Sequence, residues 1–229
     1  TIARPPPRGT SGGAALGDAL RSVGVSRWAH ARHSATRATV STRQKLLWIA
    51  LLYFAEGFPL GLVVDNLPVY FRAHGVSLEA IGMLSVLGLP WSLKVFWAPL
   101  VDRFGERRHW IAGALAVPTL ATAAIPLAAP AAPGIGLFTV LLVLTIASAT
   151  QDVAIDAYTI GLLAPGEEGV ANGVRVSAYR AALIVSGGAL VALAGWIGWP
   201  PLFWTAAAVL ATLAVAAWFA PPVIVARQP

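Results

Sequence analysis

The sequence ATQDVAIDAY at residues 149–158 ends a long apolar run that begins at Ile135. The run predicts a membrane-spanning helix, on which Asp152 and Asp156 lie on one face about one turn apart. A carboxylate near the centre of a spanning helix costs at least roughly 2.5 kcal/mol. These two acids therefore need partners or water. Either they are wetted near a helix end, or they form a structural ion pair, or they line a polar path through the bilayer.

The composition predicts an integral membrane protein. Apolar residues make up 57% of the 229-residue chain and charged residues 11%, with nine Trp and a mean hydropathy of +0.72. In soluble domains charged residues make up about a quarter. The chain has no Cys, which excludes disulfides, thiolate metal sites and cysteine nucleophiles. It has no HExxH-type metal box and no phosphate-binding glycine loop, so we expect neither an enzyme nor a bound metal or cofactor.

Six apolar segments of spanning length, joined by short connections, account for most of the chain. They cover approximately residues 45–70, 78–100, 109–129, 134–160, 171–195 and 200–220. The pattern predicts an all-α membrane protein with a six-helix bundle over residues 43–222 and a short cytosolic end over residues 223–229.

Positive charge is concentrated before the first span, where eight of the sixteen Lys and Arg residues precede Leu46. Residues 1–42 are basic and polar, so we expect a disordered or interfacial tail. A transit-peptide-like segment is the alternative, and it would place the protein in an organellar instead of a bacterial inner membrane. Three further bases, Arg103, Arg107 and Arg108, lie in the second connection. This bias predicts that both termini are cytosolic, and it makes a nucleic-acid partner unnecessary.

Four of the six predicted spans carry nearly all of the charge inside the membrane. The first, second, fourth and fifth contain Glu56, Asp65, Lys94, Asp152, Asp156, Arg175 and Arg180. Residues 110–129 and 200–220, in the third and sixth, contain no ionisable side chain. Because intramembrane charges face a bundle interior or a wet cavity, we expect four helices to face inward and two to face lipid. Such sorting is typical of a transporter half built from two three-helix repeats.

The depths of these charges predict ion pairs. Counting 1.5 Å per residue from the helix ends places opposite charges at similar depths. Asp152 is expected to pair with Lys94 or Arg180, and Asp156 with Arg175. Loss of one partner from a buried pair costs roughly 3 to 5 kcal/mol.

Glu56 has no evident cation at its depth, near the middle of the first span. Burial in an apolar medium disfavours the charged form of a carboxyl group, so Glu56 is the first candidate for a proton-carrying residue. The alternative is a protonated or hydrogen-bonded side chain with no further role. Gly57, Pro59 and Gly61 are expected to weaken and bend the helix beside it.

The second connection, APLVDRFGERR at residues 98–108, resembles the loop signature of the major facilitator superfamily. In that signature an Asp-Arg-x-Gly core with trailing bases clamps helix ends, a role that the resemblance gives to Asp102, Arg103, Arg107 and Arg108. The match is incomplete, because alanine stands where glycine is usual four residues before the acid, and an acid stands where a base is common.

Three more pieces resemble the AmpG-type muropeptide permeases and the related acetyl-coenzyme A transporters. They are WAPLVDR at 97–103, QDVAIDAY at 151–158, and YR at 179–180 with SGG at 186–188. The resemblance implies proton-driven uptake of a polar solute such as an anhydro-muropeptide. The expected pathway residues are Glu56, Lys94, Gln151, Asp152, Asp156, Tyr179 and Arg180.

Permeases of this superfamily have two six-helix halves with the substrate between them near the midplane. The chain matches the N-terminal half, so a second half is expected from a missing C-terminal part, a separate chain or a second copy. The resemblance then implies a secondary active transporter that works by alternating access, and the expected partners are the lipid bilayer, a small polar solute and a proton. The alternative is a non-transporting structural or assembly subunit of a larger membrane complex.

Overall fold

A computed structural model describes residues 40–103, 105–128, 131 and 134–223. This part of the chain is mainly helical and contains no strand. Six helices are long and apolar enough to cross a membrane: α1 Thr42–Ala73, α2 Leu78–Phe96, α3 Arg107–Leu127, α4 Ile135–Leu162, α5 Glu168–Ile197 and α6 Trp199–Trp218. The all-α class and the six spans are confirmed. The predictions for residues 1–39 and 224–229 lie outside the described residues.

The second span is shorter than the sequence predicted, because it ends at Phe96 instead of near residue 100. A separate short helix, Ala98–Arg103, follows it and has Pro99 in its first turn. Proline has no N–H to donate, so it is favoured in a first turn and weakens the hydrogen bonding of a helix interior. The last turn of α2, Lys94–Phe96, is a 3₁₀ segment that carries Lys94.

The order of helix contacts is that of two crossed three-helix repeats. α1 packs against α5, α2 packs against α4, and α3 packs against α6. The first helix of each set of three thus meets the second helix of the other set, and the two third helices meet each other. α4 also contacts α1 and α3, and so lies within the bundle.

Close contact between α1 and α5 depends on glycine. A Cβ atom on Gly57 would lie 2.7 Å from the backbone oxygen of Tyr179, and one on Gly61 would collide with Oγ of Ser186. Small residues allow two helix backbones to approach closely inside a membrane. Both helices also contain a π-helical segment, Leu62–Asn66 in α1 and Ile184–Ala189 in α5, and these segments contact each other.

The helices differ strongly in burial within this chain. In their apolar windows, 61% of α1 and 56% of α4 is buried, but only 22% of α5 and 11% of α2. The sequence predicted that the uncharged third and sixth spans would be the outward ones. Within this chain α3 and α6 cover each other, and α2 and α5 present the largest exposed faces, so which spans face lipid stays a prediction. The charge content of a helix indicated whether it borders a polar space. It did not indicate how much of that helix the other helices of this chain bury.

Candidate functional site

The charged residues of four spans surround one cavity of about 610 Å³. We call it the central cavity. Its lining comes from α1, α2, α4 and α5 and comprises Glu56, Leu60, Gly88, Trp91, Lys94, Asp152, Arg175, Val176, Tyr179 and Arg180. Five of the seven pathway residues expected from the sequence therefore lie together: Glu56, Lys94, Asp152, Tyr179 and Arg180. Their role in transport stays a prediction.

An ion pair joins α2 to α4 in the wall of the central cavity. Nζ of Lys94 lies 3.4 Å from Oδ2 of Asp152. The Asp152 side chain is only 8% exposed, whereas that of Lys94 is 32% exposed. The pairing of Asp152 with Lys94, one of the two partners expected from depth, is confirmed. Because the carboxylate is the more deeply buried member, it depends more on the pair than the ammonium group does.

A second cluster, one turn further along α4, is formed by Tyr53, Asp156 and Arg175. Oδ1 of Asp156 accepts a hydrogen bond of 2.7 Å from the Tyr53 hydroxyl and lies 3.2 Å from a guanidinium nitrogen of Arg175. The Arg175 guanidinium also lies over the Tyr53 ring, 4.6 Å from its centroid, in a cation–π contact. The expected pairing of Asp156 with Arg175 is confirmed. Tyr53 was missed, although its position three residues before Glu56 puts it on the same helix face.

Glu56 is buried beside these groups, with 8% of its surface exposed. It makes no ion pair within 4.0 Å with any described residue, and its buried Oε2 has no hydrogen-bond partner among them. A buried polar group without a partner is costly, and a charged one more so. The Glu56 carboxyl group thus borders the central cavity without an ion-pair partner among the described residues.

Gln151 does not line the central cavity. It is fully buried, and neither atom of its side-chain amide has a hydrogen-bond partner in the part of the chain that the structure describes. Adjacent residues on a helix point about 100° apart, so Gln151 faces away from the direction that Asp152 takes. Its expected pathway role stays a prediction.

Comparison with known proteins finds transporters and permeases that are similar to this chain. A family model described as acetyl-coenzyme A transporter 1 matches residues 45–128. A putative transporter AmpG 4 of Rickettsia felis (strain ATCC VR-1525 / URRWXCal2) is 28% identical over 158 residues, which are 66% of this chain and 38% of the relative. The anhydromuropeptide permease of Escherichia coli (strain K12) is 32% identical over 179 residues, which are 76% of this chain and 36% of that permease. Over most of its length the chain resembles the AmpG-type permeases of the major facilitator superfamily.

A further relative matches a similar share of the sequence. An uncharacterized protein of Haemophilus influenzae (strain ATCC 51907 / DSM 11121 / KW20 / Rd) is 34% identical over 174 residues, which are 73% of this chain and 41% of the relative. The chain thus spans between 36% and 41% of the length of these three relatives.

The loop signature at residues 98–108 joins α3 to the end of α6. Nε of Arg108 lies 2.7 Å from Oε2 of Glu106, and the same guanidinium donates to the backbone oxygen of Ala220 at 3.4 Å. The acid that departs from the family signature is therefore paired with a base. Arg103 is exposed, and the Asp102 side chain lies outside the described residues. The clamp role of Asp102, Arg103, Arg107 and Arg108 stays a prediction.

A second contact at the same end joins the start of α1 to the connection before α5. The Glu167 carboxylate accepts hydrogen bonds from Lys45 at 2.7 Å, from Thr42 at 2.8 Å and from the backbone N–H of Ala164 at 2.9 Å. These bonds, that from Lys45 first, lower the pKa of Glu167 from 4.5 to about 2. The sequence alone offered no signal for this contact, because Thr42 and Lys45 are more than 120 residues from Glu167.

Proposed function

We propose that the chain is the N-terminal half of a secondary active transporter, which couples uptake of a polar solute such as an anhydro-muropeptide to proton movement by alternating access. The observation that carries the proposal is the central cavity itself. Four spans place carboxylates, amines and guanidinium groups around a common space of about 610 Å³. Ionisable side chains in a spanning segment are costly, and they accumulate where a polar solute or ion passes.

The cationic part of the cavity supports binding of an acidic solute. Lys94 is held by Asp152, and Arg175 by Asp156. Arg180 also lines the cavity and makes no ion pair within 4.0 Å with a described residue. A guanidinium group offers two parallel N–H donors to a carboxylate, so Arg180 is our candidate for the anion-binding residue.

The lone carboxyl group supports proton coupling. Glu56 lines the same cavity, is buried, and has no cation of its own. A proton taken up at this side chain removes a buried charge, and its release restores one. The charge on Glu56 would thus affect the binding of a charged solute in the same cavity. We therefore assign Glu56 as the proton-carrying residue, and the pair of Lys94 with Asp152 lines the same cavity.

The exposed faces of α2 and α5 support a second six-helix half as partner. These two helices are the least buried spans and carry Lys94, Arg175 and Arg180. Contact between such groups and lipid is unfavourable, so another protein surface is expected to cover them. We propose that this half lies in a bacterial inner membrane, with both termini cytosolic.

Uptake by the full-length protein in liposomes tests the proposal. An imposed pH gradient should drive accumulation of an anhydro-muropeptide together with protons, and Glu56→Gln should abolish the proton-driven part. Glu79→Gln is the matched control, because Glu79 is an exposed acid at the start of α2 and does not line the cavity. Uptake that ignores the pH gradient would overturn the coupling. A tight complex with other subunits and no solute flux would instead favour the structural-subunit alternative.

A further inference from the structure

A second cavity of about 500 Å³ adjoins the central one. It lies among α1, α4 and α5, and its polar lining comprises Tyr53, Asp156, Thr159, Glu168, Asn172 and Arg175. Leu163 and Glu168 also line it, and they stand at either end of the connection between α4 and α5. The second cavity therefore reaches the end of the bundle at which α4 stops and α5 begins.

The two cavities are stacked along the bundle. On each of three helices, a residue that lines the second cavity stands about one turn from a residue that lines the central cavity. The pairs are Tyr53 and Glu56 on α1, Asp156 and Asp152 on α4, and Asn172 and Val176 on α5. The displacement has the same direction on all three helices, toward the connection between α4 and α5.

Arg175 stands between the two spaces and is the residue that lines both. Its guanidinium is fixed by Asp156 at 3.2 Å and by the Tyr53 ring at 4.6 Å. Tyr53 is in turn bonded to Asp156 at 2.7 Å. The pair is only partly buried, with 44% of the Arg175 side chain and 37% of the Asp156 side chain exposed. Such a pair contributes about 1 kcal/mol or less, so it can open at modest cost.

The two spaces have opposite charge. The central cavity has three cationic and two acidic residues in its lining: Lys94, Arg175, Arg180, Glu56 and Asp152. The second cavity has two acidic residues and one cationic residue: Asp156, Glu168 and Arg175. Hydroxyl and amide groups of Thr159 and Asn172 complete its polar lining. The central cavity therefore favours anionic groups, and the second favours cationic and hydrogen-bond-donating groups.

We propose that the second cavity is a separate binding compartment on the solute path, that it takes ammonium, amide and hydroxyl groups, and that the pair of Arg175 with Asp156 is the partition between the compartments. The inference rests on the proposed transport function, since it places the second compartment between the central cavity and one face of the membrane.

Thiol labelling reads the charge of each compartment without a transport substrate. The chain has no cysteine, so a thiol introduced by Asn172→Cys or Val176→Cys reacts against no background from this chain. The full-length protein, with any cysteine outside these 229 residues replaced by serine, is treated with a cationic (trimethylammonioethyl) and an anionic (sulfonatoethyl) methanethiosulfonate. Both reagents react with the same thiolate. The ratio of the two rates is therefore independent of the intrinsic reactivity of that thiolate. Each ratio is divided by the ratio that the two reagents show on a free thiol in solution. The cationic reagent should then be favoured about two- to fivefold at position 172 and disfavoured about two- to fivefold at position 176. An effect of this size is expected for one net charge several ångströms away.

Two arginine substitutions test the partition. Arg175→Gln should raise the cationic preference at both positions, because Arg175 borders both spaces. Arg180→Gln, the matched control, should raise it at position 176 alone, because Arg180 lines only the central cavity. Arg175→Lys keeps the charge and should leave both ratios unchanged, which separates charge loss from misfolding.

Equal corrected ratios at positions 172 and 176 before any arginine substitution would overturn the inference, as would an equal response of both positions to Arg180→Gln. These outcomes are independent of solute flux. A protein that shows the expected ratios but transports nothing would refute the proposed function and still support two compartments of opposite charge. A protein that transports solute but shows equal ratios would support the proposed function and refute the two compartments.

Discussion

The pair between α2 and α4 predicts an asymmetric response to loss of either partner. Lys94→Met leaves the Asp152 carboxylate, 8% exposed, without its cation. Removing one member of a buried pair costs about 3 to 5 kcal/mol, and the 3.4 Å separation places this pair near the lower end, at about 3 kcal/mol. Asp152→Asn leaves an ammonium group that is already 32% exposed and can be hydrated, so that substitution should cost only about 1 kcal/mol.

The free energy of unfolding in mixed detergent micelles, followed by far-ultraviolet circular dichroism during addition of dodecyl sulfate, measures this difference. The double variant should be more stable than Lys94→Met alone by about 1 to 2 kcal/mol, since contacting residues do not behave additively. Arg43→Met removes an exposed cation at the start of α1 and should change stability by less than about 0.5 kcal/mol. Equal losses for the two single variants, or strict additivity in the double variant, would refute the assigned burial of the pair.

Three further predictions follow from other contacts. Glu56→Gln should change the free energy of unfolding by less than about 1 kcal/mol in the same assay, because the carboxyl group has no ion-pair partner to lose; a loss comparable to that of Lys94→Met would show a missed partner. Gly61→Ala should cost about 1 to 3 kcal/mol through its collision with α5, while Gly113→Ala, where nothing lies within 4 Å, should be neutral or slightly stabilising. Because bonding lowers the pKa of Glu167 from 4.5 to about 2, its contribution to stability is present above pH 4.5 and is lost as the pH falls toward 2. Lys45→Gln should reduce that acid sensitivity in unfolding measured across this pH range, and an unchanged pH profile would contradict the assigned bonds.

Sequence reasoning succeeded where physical constraints act within a single helix. A bilayer sets the length of an apolar segment, so the six spans could be found, and helix rise sets the depth of each charge, so Asp152 could be matched with Lys94 and Asp156 with Arg175. Both pairs could be predicted from the depth of each residue in the membrane, without knowing which helices are neighbours.

Features that depend on helix rotation and packing could not be predicted in the same way. Depth does not distinguish Gln151, which faces away from the central cavity, from Asp152, which lines it. Tyr53 becomes part of the site only because α5 brings Arg175 over its ring. The large exposure of α2 and α5 reflects which helices pack on them in this chain, and charge content does not record that.

An experimental structure of the full-length protein with an anhydro-muropeptide bound would test the central claim most directly. The account predicts solute in the space bordered by Glu56, Lys94, Asp152 and Arg180, with an acidic group of the solute at the Arg180 guanidinium. It would be contradicted by a structure in which these four side chains make dry contacts with protein or lipid and the solute lies elsewhere.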